Sequence, residues 1–195
     1  MAWDFCPDPD FQPTLDWIRR FVDEELVPLE PLQGEMNDES WKTALAPLKR
    51  KVKDKGLWAC HLERELGGQG FGQLPLAQMN LITGRCPMAQ EIFGNMAPDS
   101  GNAELLAAGA TDAQKERWLW PNLRGEIRSA FAITEPWVAG TDPTQITSTA
   151  VLDGDEWVLN GRKWMITNAS VADFTIFMMV TDPDAAPHER CSMIV

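Results

Sequence analysis

Tyrosine is missing from this chain, histidine occurs only twice and cysteine only four times. His61 and His188 form no H-x3-5-H pair, and Cys6, Cys60, Cys86 and Cys191 lie too far apart for zinc spacing. No metal centre is expected. Positive charge is also short, with 17 Lys and Arg against 29 Asp and Glu, a net charge of −12. That sign is wrong for neutralising phosphates, so nucleic acid is excluded as a partner. No apolar run reaches the ~18 residues of a membrane span. Met1-Ala2-Trp3-Asp4-Phe5 lacks the basic and apolar regions of a secretory signal. Dispersed cysteines without such a signal read as reduced thiols, so a cytoplasmic location is expected. No G-x-S-x-G elbow occurs and neither histidine lies near a nucleophile in sequence, which argues against hydrolase chemistry.

Apolar residues are 44% of the 195 and charged residues 24%, the balance of a globular protein with a sizeable core. Nine tryptophans are read as core and interface packing. Phe11, Leu15, Ile18, Val22 and Leu26 recur at steps of three and four, predicting an amphipathic helix that stops at Pro28. Residues 28–40 read as a loop, and Pro47 as the first turn of a short helix closed by Gly56. Pro75 opens a further helix, and Asn102–Ala108 reads as another. Thr111-Asp112-Ala113-Gln114 is a capping box, starting a helix expected to run to Trp120 and meet Pro121.

The character changes near Gly125. Ser129–Thr134, Ile146–Leu152, Glu156–Leu159, Arg162–Thr167, Phe174–Thr181 and Ser192–Val195 read as strands, with turns at Asp153-Gly154-Asp155 and Asn160-Gly161. The expected class is α+β, with a helical domain over 1–125 and a β domain over 126–195. The last apolar segment reads as a strand without a partner, which suggests a chain cut short.

Gly67-Gly68-Gln69-Gly70-Phe71-Gly72 lacks G-x-G-x-x-G spacing and follows charged residues, so it reads as a loop and not as a nucleotide motif. Asn168-Ala169-Ser170 reads as an accidental glycosylation sequon. Two strand-end segments remain, Phe131–Asp142 and Lys163–Asn168. Composition alone favours ordinary turns at both; the alternative is a set of backbone groups and threonine hydroxyls for the polar edge of a flat heterocycle.

The motifs together bear a resemblance. Thr134-Glu135-Pro136 within Phe131–Asp142 resembles the flavin loop of acyl-CoA dehydrogenases. Gly109-Ala110-Thr111 through Gln114-Lys115 to Leu119 is similar to that family's G-T-x-x-Q-K-x-R-x-L helix. Thr149-Ala150, Asn160-Gly161-x-Lys163 and Ile166-Thr167-Asn168 follow in the family's order, and Gly67–Gly70 matches its early glycine loop. The match runs from about residue 10 to the end. Ala97–Asn102 and the spacing of Thr134–Ala139 resemble the branch holding vertebrate members ten and eleven.

The resemblance implies an N-terminal all-α domain and a partial antiparallel β-barrel or sandwich domain, without the family's C-terminal helical bundle. It implies FAD as cofactor, an acyl-CoA substrate, electron-transfer flavoprotein or a similar acceptor, and a homodimer or homotetramer when complete. By position, Phe131, Ile133, Thr134, Gly140, Thr141, Met165 and Thr167 are implied as cofactor residues, with Thr141 also on the substrate side. Met165 departs from the aromatic residue usual there, and strand alternation would point Trp164 to the opposite face. The family's catalytic glutamate has no counterpart in the chain, and the resemblance gives Glu135 no such role. Two rival readings are a non-catalytic interaction subunit and an oxidase on the same scaffold.

Overall fold

The computed structural model describes residues 4–139 and 142–195. The chain divides into two compact units, one reaching to Ser100 and one from Gly101 to Val195.

In the first unit, helix α1 (Gln12–Phe21) and the turn after it carry the expected apolar stripe, with Leu15, Ile18, Val22 and Leu26 buried, Phe11 partly buried and Phe21 buried as well. Pro28 does not break the chain into a loop. The helix widens into a π turn over Val22–Leu26 and then tightens into a 3-10 segment over Val27–Leu32 with Pro28 in its first turn. Both forms let a chain absorb a missing N–H donor without unwinding. Helix α2 (Asp38–Asp54) begins well before the expected start at Pro47. Asn37 caps it, its side chain accepting the Ser40 N–H at 2.9 Å. Pro47 lies exposed within α2 while Leu45, Leu48 and Val52 face the core. Helices α3 (Gln73–Thr83) and α4 (Ala89–Ile92) add Met79, Ile82, Ala89 and Ile92 to one apolar cluster.

The glycine run has a packing cause. Gly67 adopts a left-handed φ of +92°, and a Cβ on Gly68 would overlap the Leu62 backbone carbonyl.

In the second unit, α5 (Asp99–Gly109) precedes α6 (Asp112–Gln114), a π turn over Lys115–Leu119 and α7 (Trp120–Leu123). The capping box is present, with Gln114 N–H donating to Thr111 Oγ1 at 3.3 Å and Thr111 N–H to Gln114 Oε1 at 2.9 Å. Pro121 does not end this helix, because the π turn just before it accommodates the absent donor.

The strands are β1 (Ser129–Ala132), β2 (Thr149–Asp153), β3 (Glu156–Asn160), β4 (Phe174–Val180) and β5 (Cys191–Ile194), in one sheet. The helical part and the partial β part follow in the order expected. The sheet is mixed, however, and not wholly antiparallel. β2–β3 and β4–β5 are antiparallel, whereas β1 and β2 each pair with β4 in parallel. The tight Asp153-Gly154-Asp155 turn forces an antiparallel hairpin, while the long chain between β1 and β4 allows a crossover. Among the described residues β3 pairs only with β2, so no closed barrel forms. Buried Asn102 joins α5 to β1, its Nδ2 donating to Ser129 Oγ at 2.9 Å and Ala130 O at 3.1 Å.

Arg162–Thr167 is not a strand. It is irregular, with left-handed Met165 at φ +51° and Asn168 at φ +67°. An L-residue cannot hold that conformation within a pleated strand, so side-chain alternation does not apply to Trp164 and Met165.

Candidate functional site

The end of β1 and the segment after β3 meet around one buried ion pair. Chain leaving Ala132 runs through Ile133 and Thr134 to Glu135, whose side chain is 4% exposed. Lys163, 7% exposed, places Nζ 2.9 Å from Glu135 Oε1. Two ions so deeply buried are costly unless every donor and acceptor is used. Here each is. Lys163 Nζ also donates to Ile133 O at 3.1 Å and Met178 O at 2.8 Å. Glu135 Oε1 accepts the Ser148 N–H at 2.9 Å, and Oε2 accepts the Thr147 N–H at 2.9 Å and its hydroxyl at 2.6 Å. Burial by itself would raise the Glu135 carboxyl, but hydrogen bonds from Ser148, Thr147 and Lys163 outweigh it and bring the pKa to about 2. Glu135 is a fixed anion and not a proton acceptor near neutral pH.

Further contacts join the segments. Trp164 N–H donates to Thr134 O at 3.1 Å, and Asn168 Nδ2 donates to Ser129 O at 3.2 Å. Gly161 permits the approach. Its φ is +152°, and a Cβ there would overlap the Ser148 side chain and lie 2.8 Å from Ser148 Cα.

Phe131, Ile133 and Thr134 therefore lie beside Met165 and Thr167 on two cross-linked segments. Phe131 points to the less buried face of β1, opposite Ala130 and Ala132. The carbonyls of Ile133 and Thr134 are occupied, but the N–H and hydroxyl of Thr134 have no hydrogen-bond partner among the described residues, and neither do those of Thr167. Met165 is 83% exposed and Trp164 45%. Gly140 and Thr141 lie outside the described residues. Asp142, just beyond them, is held below the usual carboxylate range by hydrogen bonds from Thr144 and Gln145. Its loop is gripped by Arg190, whose guanidinium donates to Thr144 O and to Ile146 O.

Sequence reasoning missed Lys163, Thr147, Ser148 and Asn168 as the groups that organise the site. The one usable signal was a lone lysine inside a largely apolar segment.

The donor set fits a flat, acceptor-rich heterocycle. Thr134 and Thr167, on the two cross-linked segments, each keep an N–H and a hydroxyl without a partner among the described residues, and Trp164 and Met165 nearby in the chain are exposed. A helical unit ahead of a mixed sheet with these paired strand-end segments defines an α+β protein of the acyl-CoA dehydrogenase fold. A solved structure from Mycobacterium abscessus, described as a putative acyl-CoA dehydrogenase, superposes with a TM-score of 0.85 at 37% identity, covering 97% of this chain and 50% of that one.

The chain belongs to the acyl-CoA dehydrogenase family. The family's N-terminal domain matches residues 9–126 and its middle domain residues 130–195. It is 42% identical to the probable acyl-CoA dehydrogenase FadE2 of Mycobacterium tuberculosis over 76% of the chain and 36% of that protein. It is 34% identical to acyl-CoA dehydrogenase family member 10 of Mus musculus over 96% of the chain and 18% of that protein. The chain thus spans about a third or less of these relatives and half of the solved structure.

Proposed function

We propose that this chain supplies part of the flavin site of an enzyme that removes hydrogen across the Cα–Cβ bond of acyl-CoA thioesters, with FAD as cofactor. The observation that carries the reading is the pair of cross-linked segments, whose carbonyls at 133 and 134 are occupied while Thr134 and Thr167 keep donors without partners among the described residues. When bound, FAD would accept the hydride lost from Cβ. The chain's own residues bind and orient: Thr134 and Thr167 donate to acceptor atoms of the ring system, while Phe131, Ile133 and Met165 pack against it. Gly140 and Thr141 complete the first segment, with Thr141 reaching towards the thioester. Domain limits of 1–125 and 126–195, a homo-oligomeric whole protein and electron-transfer flavoprotein as acceptor belong to this reading.

Proton removal from Cα needs a base within about 3 Å. Glu135 and Asp142 are both hydrogen-bonded and held low, so neither serves near neutral pH. The described chain by itself is therefore expected to be inactive. Among its described residues no helix is long and apolar enough to cross a membrane.

Thr134→Val tests the site, removing a hydroxyl at nearly constant shape. FAD binding should weaken by about 1 kcal/mol, roughly fivefold, as for one lost hydrogen bond. Unchanged affinity and an unchanged flavin spectrum would remove Thr134 from the site. For the inactivity, the chain is mixed anaerobically with FAD and a panel of acyl-CoAs. Substrate-dependent bleaching at an enzymatic rate would refute it.

A further inference from the structure

We infer that Lys163, held by Glu135, is a positioning residue that aims the Thr134 N–H and locks the two flavin segments into one rigid edge; this rests on the flavin reading above. In a planar trans peptide the carbonyl and the following N–H point in opposite directions. Lys163 Nζ grips the Ile133 carbonyl at 3.1 Å and so fixes where the Thr134 N–H points. The next carbonyl, of Thr134, is gripped by the Trp164 N–H at 3.1 Å, one residue along from Lys163. Two successive peptide planes of the first segment are thus set by two successive residues of the second.

The same ammonium has no freedom to follow a moving loop. Its remaining two protons go to Glu135 Oε1 at 2.9 Å and to Met178 O of β4 at 2.8 Å. Glu135 in turn is bound to the backbone N–H groups of Thr147 and Ser148 just ahead of β2. The edge is therefore referenced to β2 and β4 and not to solvent-exposed loop. A fully used ammonium and a fully used carboxylate, both buried, are what fixed geometry requires. The left-handed backbone at Met165, two residues past Lys163, needs such over-determination, because a non-glycine residue there is strained.

The test separates aiming from simple charge balance. Glu135→Gln and Lys163→Met each leave a buried ion alone, whereas the double variant removes both charges. Amide hydrogen exchange, thermal midpoint and FAD titration by flavin fluorescence are measured on the full chain and all three variants. Each single variant is expected to lower the thermal midpoint, and the double variant to recover most of it. In the double variant the Trp164 amide should still exchange at least tenfold faster than in the parent, with β4 and β5 unchanged, and FAD should still bind at least tenfold more weakly. Recovery of Trp164 protection and FAD affinity together with the midpoint would overturn the inference, since the pair would then only balance charge. Weak or absent FAD binding by the parent chain is what a partial site gives, and Trp164 exchange in the double variant then decides the positioning role, with parent-like protection overturning it.

Discussion

The two units of the chain bury apolar side chains in different arrangements. In the unit that reaches to Ser100, the large apolar side chains converge on one cluster, from Leu15 and Ile18 on α1 to Ile92 and Phe93 at the end of α4. In the unit that follows, β2 and β3 extend as a hairpin whose Val151, Leu152, Trp157, Val158 and Leu159 are all exposed. The most deeply buried ion pair among the described residues lies in the second unit. Lys51–Glu25 and Arg85–Asp23 pair on the surface of the helical unit, whereas the sheet unit buries Lys163–Glu135. One unit is stabilised by an apolar interior. The other also buries apolar residues such as Phe174, Ile176 and Met179, but holds the segments at 133–134 and 163–164 with a buried polar network and leaves the apolar side chains of its hairpin exposed. Polar networks give orientation and apolar clusters give mass of burial, so the division matches what each unit has to do.

The largest expected effect lies in the helical unit. Phe93 is fully buried, its ring 6.0 Å from that of Phe21 in an edge-on arrangement. Phe93→Ala should cost about 3–5 kcal/mol through lost transfer energy and a residual cavity. Denaturant unfolding measures it, and a loss below about 1 kcal/mol would mean that the cluster collapses around the gap and is not tightly packed.

Acid should single out the sheet unit. Glu135 has a folded pKa of about 2 against an ordinary value of 4.5. Between those values the unfolded chain binds a proton that the folded chain does not, so stability is present above about pH 4.5 and falls as pH drops towards 2. A loss of roughly 2–3 kcal/mol is expected over that window. The double variant Glu135→Gln, Lys163→Met should flatten this part of the profile. If it leaves the acid limb unchanged, Glu135 is not the group responsible.

How far each unit was legible in the sequence follows from the same contrast. The stripe from Leu15 to Leu26 and the Thr111–Gln114 capping box are local patterns, and both are present as read. Helix ends near prolines differ from the sequence reading because π and 3-10 turns let the chain continue through Pro28 and Pro121. A helix start at Asn37 was overlooked because its cap lies in a polar stretch without apolar periodicity. The network at Glu135 could not be read at all. Its members span residues 133 to 178, and no local period links a carboxylate to a lysine 28 positions away. Strand character at 162–167 failed for a related reason: left-handed Met165 lies between Trp164 and Asn168, which are tied to Thr134 and Ser129, 30 and 39 positions away and beyond any local pattern.

A smaller effect tests a feature that is purely local. Thr111→Ala removes the hydroxyl that accepts the Gln114 N–H and should cost about 1 kcal/mol. Thr111→Ser should restore most of it. An effect as large as that of Phe93→Ala would show that the capped helix governs the whole sheet unit, which would erase the contrast between local and long-range determinants.

The smallest expected change is also the sharpest test of the outward-facing hairpin. Val158 is 53% exposed and pairs across the hairpin with Val151, 62% exposed. Threonine keeps the β-branched shape that suits a strand, so Val158→Thr removes apolar surface with little change in backbone preference. If the side chain faces water in solution as it does here, stability should change by no more than about 0.5 kcal/mol, as for other exposed sites. The change should appear instead in association: exposed apolar patches favour contact between copies, so light scattering at high concentration should fall in the variant. Thermal unfolding at several protein concentrations gives the control. A loss above about 1 kcal/mol that grows with concentration would show that a second copy covers Val158 in solution. The hairpin would then be an interior surface after all, covered by a second copy as the helical cluster is covered by its own unit.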